Sequence, residues 1–405
     1  MKNPTSPIGL CTFIIMAALV AAGCAMEVAE DGSQQDDEGD VAVVSQALML
    51  GSHGYTFYQK ANPLNGQDFH FTYTSNDFIP EFSSAGTGRV TVHFIDLPGS
   101  YGNVQVSAVG SDDVRCKVEG WRVSSGDRLV DVRCHNHSGT LTNSDFVVYY
   151  ATAVAGSYGG AYLLNNNPTS LLNVAYTAPS GYNYNSEGSA NRITRVGTGV
   201  YDNRLPGNGL NEGTNHVTAY GTGSEYCNVS SSTASGNDRI VRVRCFNTSG
   251  QPTNTSYSLD YKPLGGQGLG GTGASAIATN TTSSSYRPSS WYNSGACQPV
   301  ARDARATRAA TGKYNMRFDA MAAEGAGIVL SVSLVSGYGT SAGYCKIGRD
   351  AAAGAQWWLP TGDTWTDVEI GVRCYNDSGS LMNHEYVASF ITPWIAGYCS
   401  PIVLL

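Results

Sequence analysis

Few residues in this chain have the types and spacing to do chemistry, and each has a competing structural reading. Gly339-Thr340-Ser341-Ala342-Gly343 has the G-x-S-x-G form of a nucleophile elbow. An elbow needs a strand before it and a helix after it, so that the serine hydroxyl is lifted above a sheet. Here a strand-like run follows, and Gly110-Ser111-Asp112 and Gly221-Thr222-Gly223 hold the same place in two related segments, so the motif reads as a turn. Gly266-Gln267-Gly268-Leu269-Gly270-Gly271 fits a dinucleotide loop but lacks the flanking buried strand and helix, and reads as a linker. His135 and His137, two apart in an extended segment, would project to one face as metal ligands do. No third or fourth ligand accompanies them, which leaves a solvated loop pair. Ser111-Asp112-Asp113 offers weak calcium ligands but has the composition of an ordinary turn. The expectation is a chain with no catalytic residue, no metal and no cofactor.

The cysteines carry the definite chemistry, and they belong to an internal repeat. Arg133-Cys134-His135-Asn136-His137-Ser138-Gly139 returns as Arg244-Cys245-Phe246-Asn247-Thr248-Ser249-Gly250 and as Arg373-Cys374-Tyr375-Asn376-Asp377-Ser378-Gly379. Each copy has an upstream cysteine (Cys116, Cys227, Cys345) and, earlier, a Thr-Gly pair opening a strand-like run (Thr87-Gly88, Thr198-Gly199, Thr311-Gly312). Cys116 and Cys134 are 18 apart, as are Cys227 and Cys245, with midpoints in the turn-like clusters at Ser125 and Gly236. Folding the chain there sets each pair opposite across an antiparallel hairpin, close enough to bridge. Such a closure contributes about 3 kcal/mol by the chain-entropy estimate. Cys345 and Cys374 enclose eleven more residues, and the remaining Cys297 and Cys399 are expected to tie the third copy's early strands to its tail. Four disulfides require an oxidising compartment. The Asn-x-Ser sequons at Asn136, Asn247 and Asn376 read as turns.

The elements that hold these residues have a period of two. Val130, Val132 and Cys134 alternate with Asp131 and Arg133, and the other copies repeat the pattern through Val241, Val243, Cys245 and through Val368, Ile370, Val372, Cys374. Phe146, Val148 and Tyr150 mark a following strand, and Val104, Val106 and Ala108 an earlier one matched by Val217 and Ala219. One face of each is expected to be buried and the other wet. Only 14% of residues are charged and 48 are glycine. That excludes helical bundles and argues against a doubly wound nucleotide-binding enzyme. The fold class expected is all-β: three tandem disulfide-stapled β-sandwich domains, Ig-like or jelly-roll-like, of seven or eight strands each. The third copy differs by its tryptophans: Trp357, Trp358 and Trp365 are candidates for exposed rings that stack on sugars or anchor a protein partner.

The N-terminus supplies an address. Lys2, the apolar run Ile8–Ala22 and Ala21-Ala22-Gly23-Cys24 form a signal peptide with a small-residue cleavage site. Losing Cys11 with it leaves nine cysteines; if eight pair, the odd one is Cys24. Glu27–Asp40 then carries seven acidic residues and no basic one, the composition of a disordered tether. Without signal and tether, the −8 of the whole chain shrinks to about −2, with no basic footprint for nucleic acid. The domain reading is signal peptide 1–23, lipidated cysteine and tether 24–48, repeats 49–152 and 153–263, Gly-rich linker 264–274 and repeat 275–405. The Gly265–Gly273 stretch argues for independence of the third unit against packing of all three as a pseudo-trimer.

Ala-Gly-Cys at Cys24 resembles the lipobox of bacterial lipoproteins, although Ala21 stands where such boxes usually carry leucine. The resemblance implies a diacylated Cys24 and a place on the outer membrane or cell surface; without lipidation the protein is secreted. The paired cysteines and the Val-Arg-Cys-x-Asn-x-Ser-Gly strand end resemble a repeat found in tandem in secreted proteins of predatory Gram-negative bacteria and filamentous actinobacteria, a likeness that lends no activity and no ligand. Thr198-Gly199-Val200-Tyr201 is also similar to the strand opening of jelly-roll phage-tail tips and complement-like trimer heads. The functional expectation is a non-catalytic adhesion or binding array for a glycan or surface protein, in which repetition supplies avidity. The alternatives are an envelope scaffold without small ligand and, behind it, a hydrolase of extracellular polymer. Cys24→Ser is expected to abolish metabolic labelling with a fatty acid and release the protein from the membrane fraction; labelling that survives the substitution refutes the anchor.

Overall fold

A computed structural model describes residues 53–392 except 62–69, 73–78, 98–100, 153–159, 211, 264–271, 294–302, 323–331, 349–357 and 362–365. The first copy contains β1 (His53–Tyr58), β2 (His70–Thr72), β3 (Glu81–Ser84), β4 (Arg89–Phe94), β5 (Asn103–Val109), β6 (Arg115–Ser124), β7 (Asp127–His135) and β8 (Asp145–Ala151). They form two layers, an inner sheet β2-β1-β8-β5 and an outer sheet β3-β4-β7-β6. The first and last strands are neighbours and the chain crosses repeatedly between layers, in jelly-roll manner. Val92, Phe94, Val104, Val118, Trp121, Val130, Val132, Phe146, Val148 and Tyr150 fill the space between the layers.

The second copy repeats this plan with β9 (Ala161–Asn165), β10 (Ala175–Thr177), β11 (Asn183–Asn185), β12 (Arg192–Gly197), β13 (Val200–Leu205), β14 (Gly213–Tyr220), β15 (Tyr226–Ser235), β16 (Asp238–Phe246) and β17 (Ser256–Pro263). The third has β18 (Thr272–Ala278), β19 (Ser285–Tyr286), β20 (Ser290–Asn293), β21 (Ala304–Ala310), β22 (Lys313–Ala322), β23 (Val332–Tyr338), β24 (Tyr344–Ile347), β25 (Trp358–Thr361), β26 (Thr366–Tyr375) and β27 (Glu385–Thr392). The protein is thus all-β, three disulfide-stapled sandwiches in tandem. Cys116–Cys134, Cys227–Cys245 and Cys345–Cys374 are bonded, each pair directly opposite across its hairpin with Cα atoms 4.0, 4.0 and 4.1 Å apart. Ser125-Gly126 and Gly236-Asn237 make the two-residue turns, with Ser125, Gly126 and Gly236 at positive φ.

The sandwiches are not separate beads. Residues 47–405 group into a single body. Each sheet runs out of one copy into another: β24 of the third joins β5 of the first, β6 of the first joins β14 of the second, and β15 of the second joins β23 of the third. The three seams are parallel and sit at equivalent places, pairing Ile347 with Val109, Val118 with Tyr220 and Val229 with Tyr338. At each seam a glycine N–H donates to the neighbour's carbonyl: Gly110 to Ile347 at 3.0 Å, Gly221 to Val118 at 2.9 Å and Gly339 to Val229 at 2.8 Å. Three seams in cyclic order close a ring about a pseudo-threefold axis. The linker expectation therefore fails as an argument for independence. Thr272 and Gly273 already lie in β18, opposite Thr392 and Ile391, and the third copy shares sheets with both others.

Two glycines of the repeated motifs have a structural reason, the first within its own copy and the second between copies. Gly88, Gly199 and Gly312 have φ between 64° and 67°, and a Cβ there would lie 2.6–2.8 Å from backbone atoms of the facing loop. Each accepts the amide of the second cysteine, Cys134, Cys245 or Cys374, at 2.8–2.9 Å, so Thr-Gly clamps the stapled strand. In the Ser-Gly ending, the Asn136, Asn247 and Asn376 Oδ1 atoms accept the amides of Thr140, Gln251 and Ser380 at 2.8–3.0 Å, closing turns. The glycine of each turn, again at positive φ, lies against the next copy. A Cβ on Gly139 would meet Thr248 and Ser224, on Gly250 Asp377 and Ala342, on Gly379 Asp113 and His137.

One cooperative body should melt as one. Calorimetry of the oxidised chain carrying Cys24→Ser is expected to show a single transition, and the isolated second copy, residues 160–263, none. Three separable transitions, or a cooperatively folding single copy, would overturn the closed ring.

Candidate axial binding site

The inner strands β5, β14 and β23 meet at the axis, so they are buried on both faces: every residue of β5 is buried, as are Gly213–Ala219 of β14 and Val332–Gly337 of β23. Alternate residues face their own sandwich core; the others face neighbouring copies, and among those Asn103, Gln105, Ser107, Thr214, His216, Thr218 and Ser336 are polar. In an interior each such group needs a partner. Ser107, Thr218 and Ser336 hold equivalent positions and each grips the preceding copy in the cyclic order. Ser107 Oγ accepts the Val335 amide and donates to the Val335 carbonyl, both at 2.9 Å. Thr218 Oγ1 accepts the Val106 amide at 3.1 Å and donates to Gln105 Oε1 at 2.8 Å. Ser336 Oγ lies 3.0 Å from Nδ1 of His216, whose Nε2 lies 2.6 Å from Ser389 Oγ. Burial pushes the His216 pKa down to about 3, with Lys262 adding to the effect.

Farther along the axis come the residues that flank the first cysteine of each copy. On its far side Lys117, Asn228 and Lys346 are equivalent and almost fully buried. Lys117 Nζ donates to Glu225 of the second copy at 3.3 Å, Asn228 Nδ2 to the Gly343 carbonyl of the third at 2.6 Å, and Lys346 Nζ to the Asp112 carbonyl of the first at 3.1 Å, with its carboxylate also in contact. Desolvation pulls both lysine pKa values down, opposed by Glu225 and Asp112 respectively.

On the near side Arg115, Tyr226 and Tyr344 are equivalent, and each donates to the carbonyl three residues before the next copy's cysteine. Arg115 Nη2 reaches Ser224 at 3.0 Å, the Tyr226 hydroxyl reaches Ala342 at 2.5 Å, and the Tyr344 hydroxyl reaches Asp113 at 2.6 Å. Tyr226, Phe246, Tyr344 and Tyr375 pack as an aromatic cluster, and the Arg115 guanidinium lies 4.7 Å from the Tyr226 ring centre and 5.0 Å from that of Tyr344. Contacts of this kind are favourable and strengthen when desolvated.

Between these layers lies a cavity of about 50 Å³ lined by equivalent positions of all three copies. It has room for a few waters or a small ion. Arg115, Lys117 and Lys346 line it with the single carboxylate of Glu225 and with His135, which copies two and three replace by Phe246 and Tyr375. Burial, then Lys117 and Arg115, lower the His135 pKa to about 4, so it is neutral at physiological pH.

One sequence expectation changes in this setting and two turn readings hold. The two histidines do not form a solvated pair: His135 is buried by the neighbouring copy, while His137 Nδ1 rests on the Asp113 carboxylate. Ser111-Asp112-Asp113 is a turn spent on the ring, its carbonyls taking Tyr375, Lys346 and Tyr344. Ser341 is exposed in a turn between two strands, and its carbonyl accepts from Asn228, so no elbow exists. Cys24, Cys297, Cys399, Trp357 and Trp365 lie outside the described residues, while Trp358 opens β25 opposite Ile370. Among the described residues no three His, Cys, Asp or Glu side chains converge as metal ligands, and no helix is long and apolar enough to cross a membrane. Arg115, Lys117, Tyr226, Tyr344 and Lys346 were not anticipated; the available signal was that the otherwise repetitive copies diverge on both sides of the cysteine.

The chain matches none of the family models, curated proteins or solved structures with which it was compared.

Both axial histidines are held below the ordinary value of 6.5, so the folded state resists their protonation while the unfolded chain accepts it. Their contribution is fully present above 6.5 and is lost progressively toward about 4 for His135 and about 3 for His216. His135→Phe, the residue copy two uses, is expected to flatten part of this loss. The urea midpoint should drop less between pH 7 and pH 4.5 in the variant than in the parent; an equal drop contradicts it.

Proposed function

We propose that this protein is a lipid-anchored envelope protein whose folded body is one rigid, non-catalytic recognition head for a glycan or surface protein. The observation that carries this reading is the closed ring, in which three diverged copies converge on one axis. That arrangement favours a single composite site over three equal sites linked for avidity. The similarity of one strand opening to phage-tail tips and trimer heads points the same way. The acidic tether between Cys24 and the ring suits display at a distance from a membrane. Apolar side chains at Leu171, Leu172 and Leu210, 74%, 50% and 85% exposed, lie on copy two, as expected of partner contacts. The second reading, an envelope scaffold, draws support from the polar detail spent on holding the copies together.

The test is a glycan and polysaccharide array probed with the oxidised Cys24→Ser chain, beside the same chain with Trp357 and Trp365 changed to alanine and with Leu171 and Leu172 changed to serine. Selective binding lost in the tryptophan variant assigns a lectin-like surface to copy three. Absence of glycan binding, together with no envelope protein retained in a leucine-dependent way, sinks the recognition head and leaves the scaffold.

A further inference from the structure

The first copy departs from the others at one axial position in a way that ring closure does not require. A tyrosine at residue 115 would make the same hydrogen bond that Tyr226 and Tyr344 make, and the ring would close with three equivalent phenols. Arg115 makes that bond with Nη2 and has three further N–H donors, on Nε and Nη1. Both nitrogens are buried without a hydrogen-bond partner among the described residues, on a side chain in a residue only 8% exposed. Leaving charged donors unpaired in an interior is costly, more so than for neutral groups. The guanidinium carbon lies 4.7 and 5.0 Å from the Tyr226 and Tyr344 ring centres, and Arg115 lines the axial cavity.

The charge around that cavity points the same way. Of the three cations that line it, Lys117 is paired with Glu225 and Lys346 with Asp112, which leaves Arg115 as the one without a carboxylate in contact among the described residues, and His135 is neutral. We infer that the axial cavity binds one small monovalent anion, of halide to formate size, held by Arg115 Nε and Nη1. The 50 Å³ volume suits such an ion with a water beside it. That water also serves Asn228 Oδ1, a buried acceptor at the same cavity that lacks a donor. The ion would complete the ring whatever the head recognises, so the inference stands apart from the recognition reading. The same chemistry admits a free ion or the acid group of a sugar.

The experiment measures the thermal midpoint of the oxidised Cys24→Ser chain against sodium bromide, formate, glucuronate and gluconate, at constant ionic strength. Bromide-soaked crystals are examined for anomalous signal. Bromide and formate are expected to raise the midpoint saturably and gluconate not, with bromide located beside Arg115. Glucuronate acting at lower concentration than formate identifies a sugar acid as the source, and glucuronate without effect identifies a free ion. Arg115→Gln should weaken the response about tenfold or more, since it removes charge-assisted hydrogen bonds. Glu225→Gln, which removes the opposing carboxylate, should lower the half-saturating concentration and serves alone if Arg115→Gln does not fold. Identical curves for all four salts, a response unchanged in Arg115→Gln, an unchanged half-saturation in Glu225→Gln, or bromide only at the surface would each overturn the site.

Discussion

Burial of the inner sheets on both faces is the constraint on which the rest of the molecule depends. A sandwich normally hides one face of each sheet and wets the other. Here β5, β14 and β23 have no wet face, so groups on their second side must find partners in another copy or remain unsatisfied. Ser107, Thr218, Gln105, His216 and Ser336 answer that demand across the axis, and the parallel seams do the same for the backbone at the sheet edges. Seam formation also removes strand edges that would otherwise invite association.

The ring is regular in backbone and irregular in side chains. Equivalent positions hold Ser, Thr and Ser in one layer, Lys, Asn and Lys in the next, and Arg, Tyr and Tyr in the third. A trimer of identical chains could not do this. One arginine on the axis would mean three, and three guanidiniums in a small desolvated space would repel strongly. Fusing the copies in one chain lets a single cation sit between two tyrosines that remain neutral partners. The side chains that meet at the axis differ, while the cysteines, the clamp glycines and the Asn turns stay alike in all three copies.

Much of the fold was legible in the sequence because it is local. Period-two runs, turn residues midway between paired cysteines and the three-fold recurrence of one motif each report on a strand or hairpin within a copy. The site was not legible, because it is made between copies. Ser258 and Asp260 of β17 alternate with Tyr257, Leu259 and Tyr261 and read as a wet face, yet both are buried against another copy. Besides the divergence beside the cysteines, a hint lay in β8, where Phe146–Ala151 contains no charged residue and has the continuous apolar character of a strand covered on both sides. The Ser-Gly of the repeated motif likewise read as a plain turn, when the neighbour's approach is what excludes a side chain there. His135 misled for the same reason: it lines the axial cavity with Glu225 and Tyr226 of the second copy, about ninety positions away.

Covalent continuity through the three sandwiches has a consequence at low concentration. A trimer assembled from free chains dissociates on dilution, because its equilibrium depends on protomer concentration. In this protein the partner surfaces of each copy are present at the effective concentration set by the connecting chain, whatever the abundance of the molecule. A single molecule is therefore fully assembled at any dilution. Whatever the axis holds is held by one polypeptide, in a stoichiometry of one per chain.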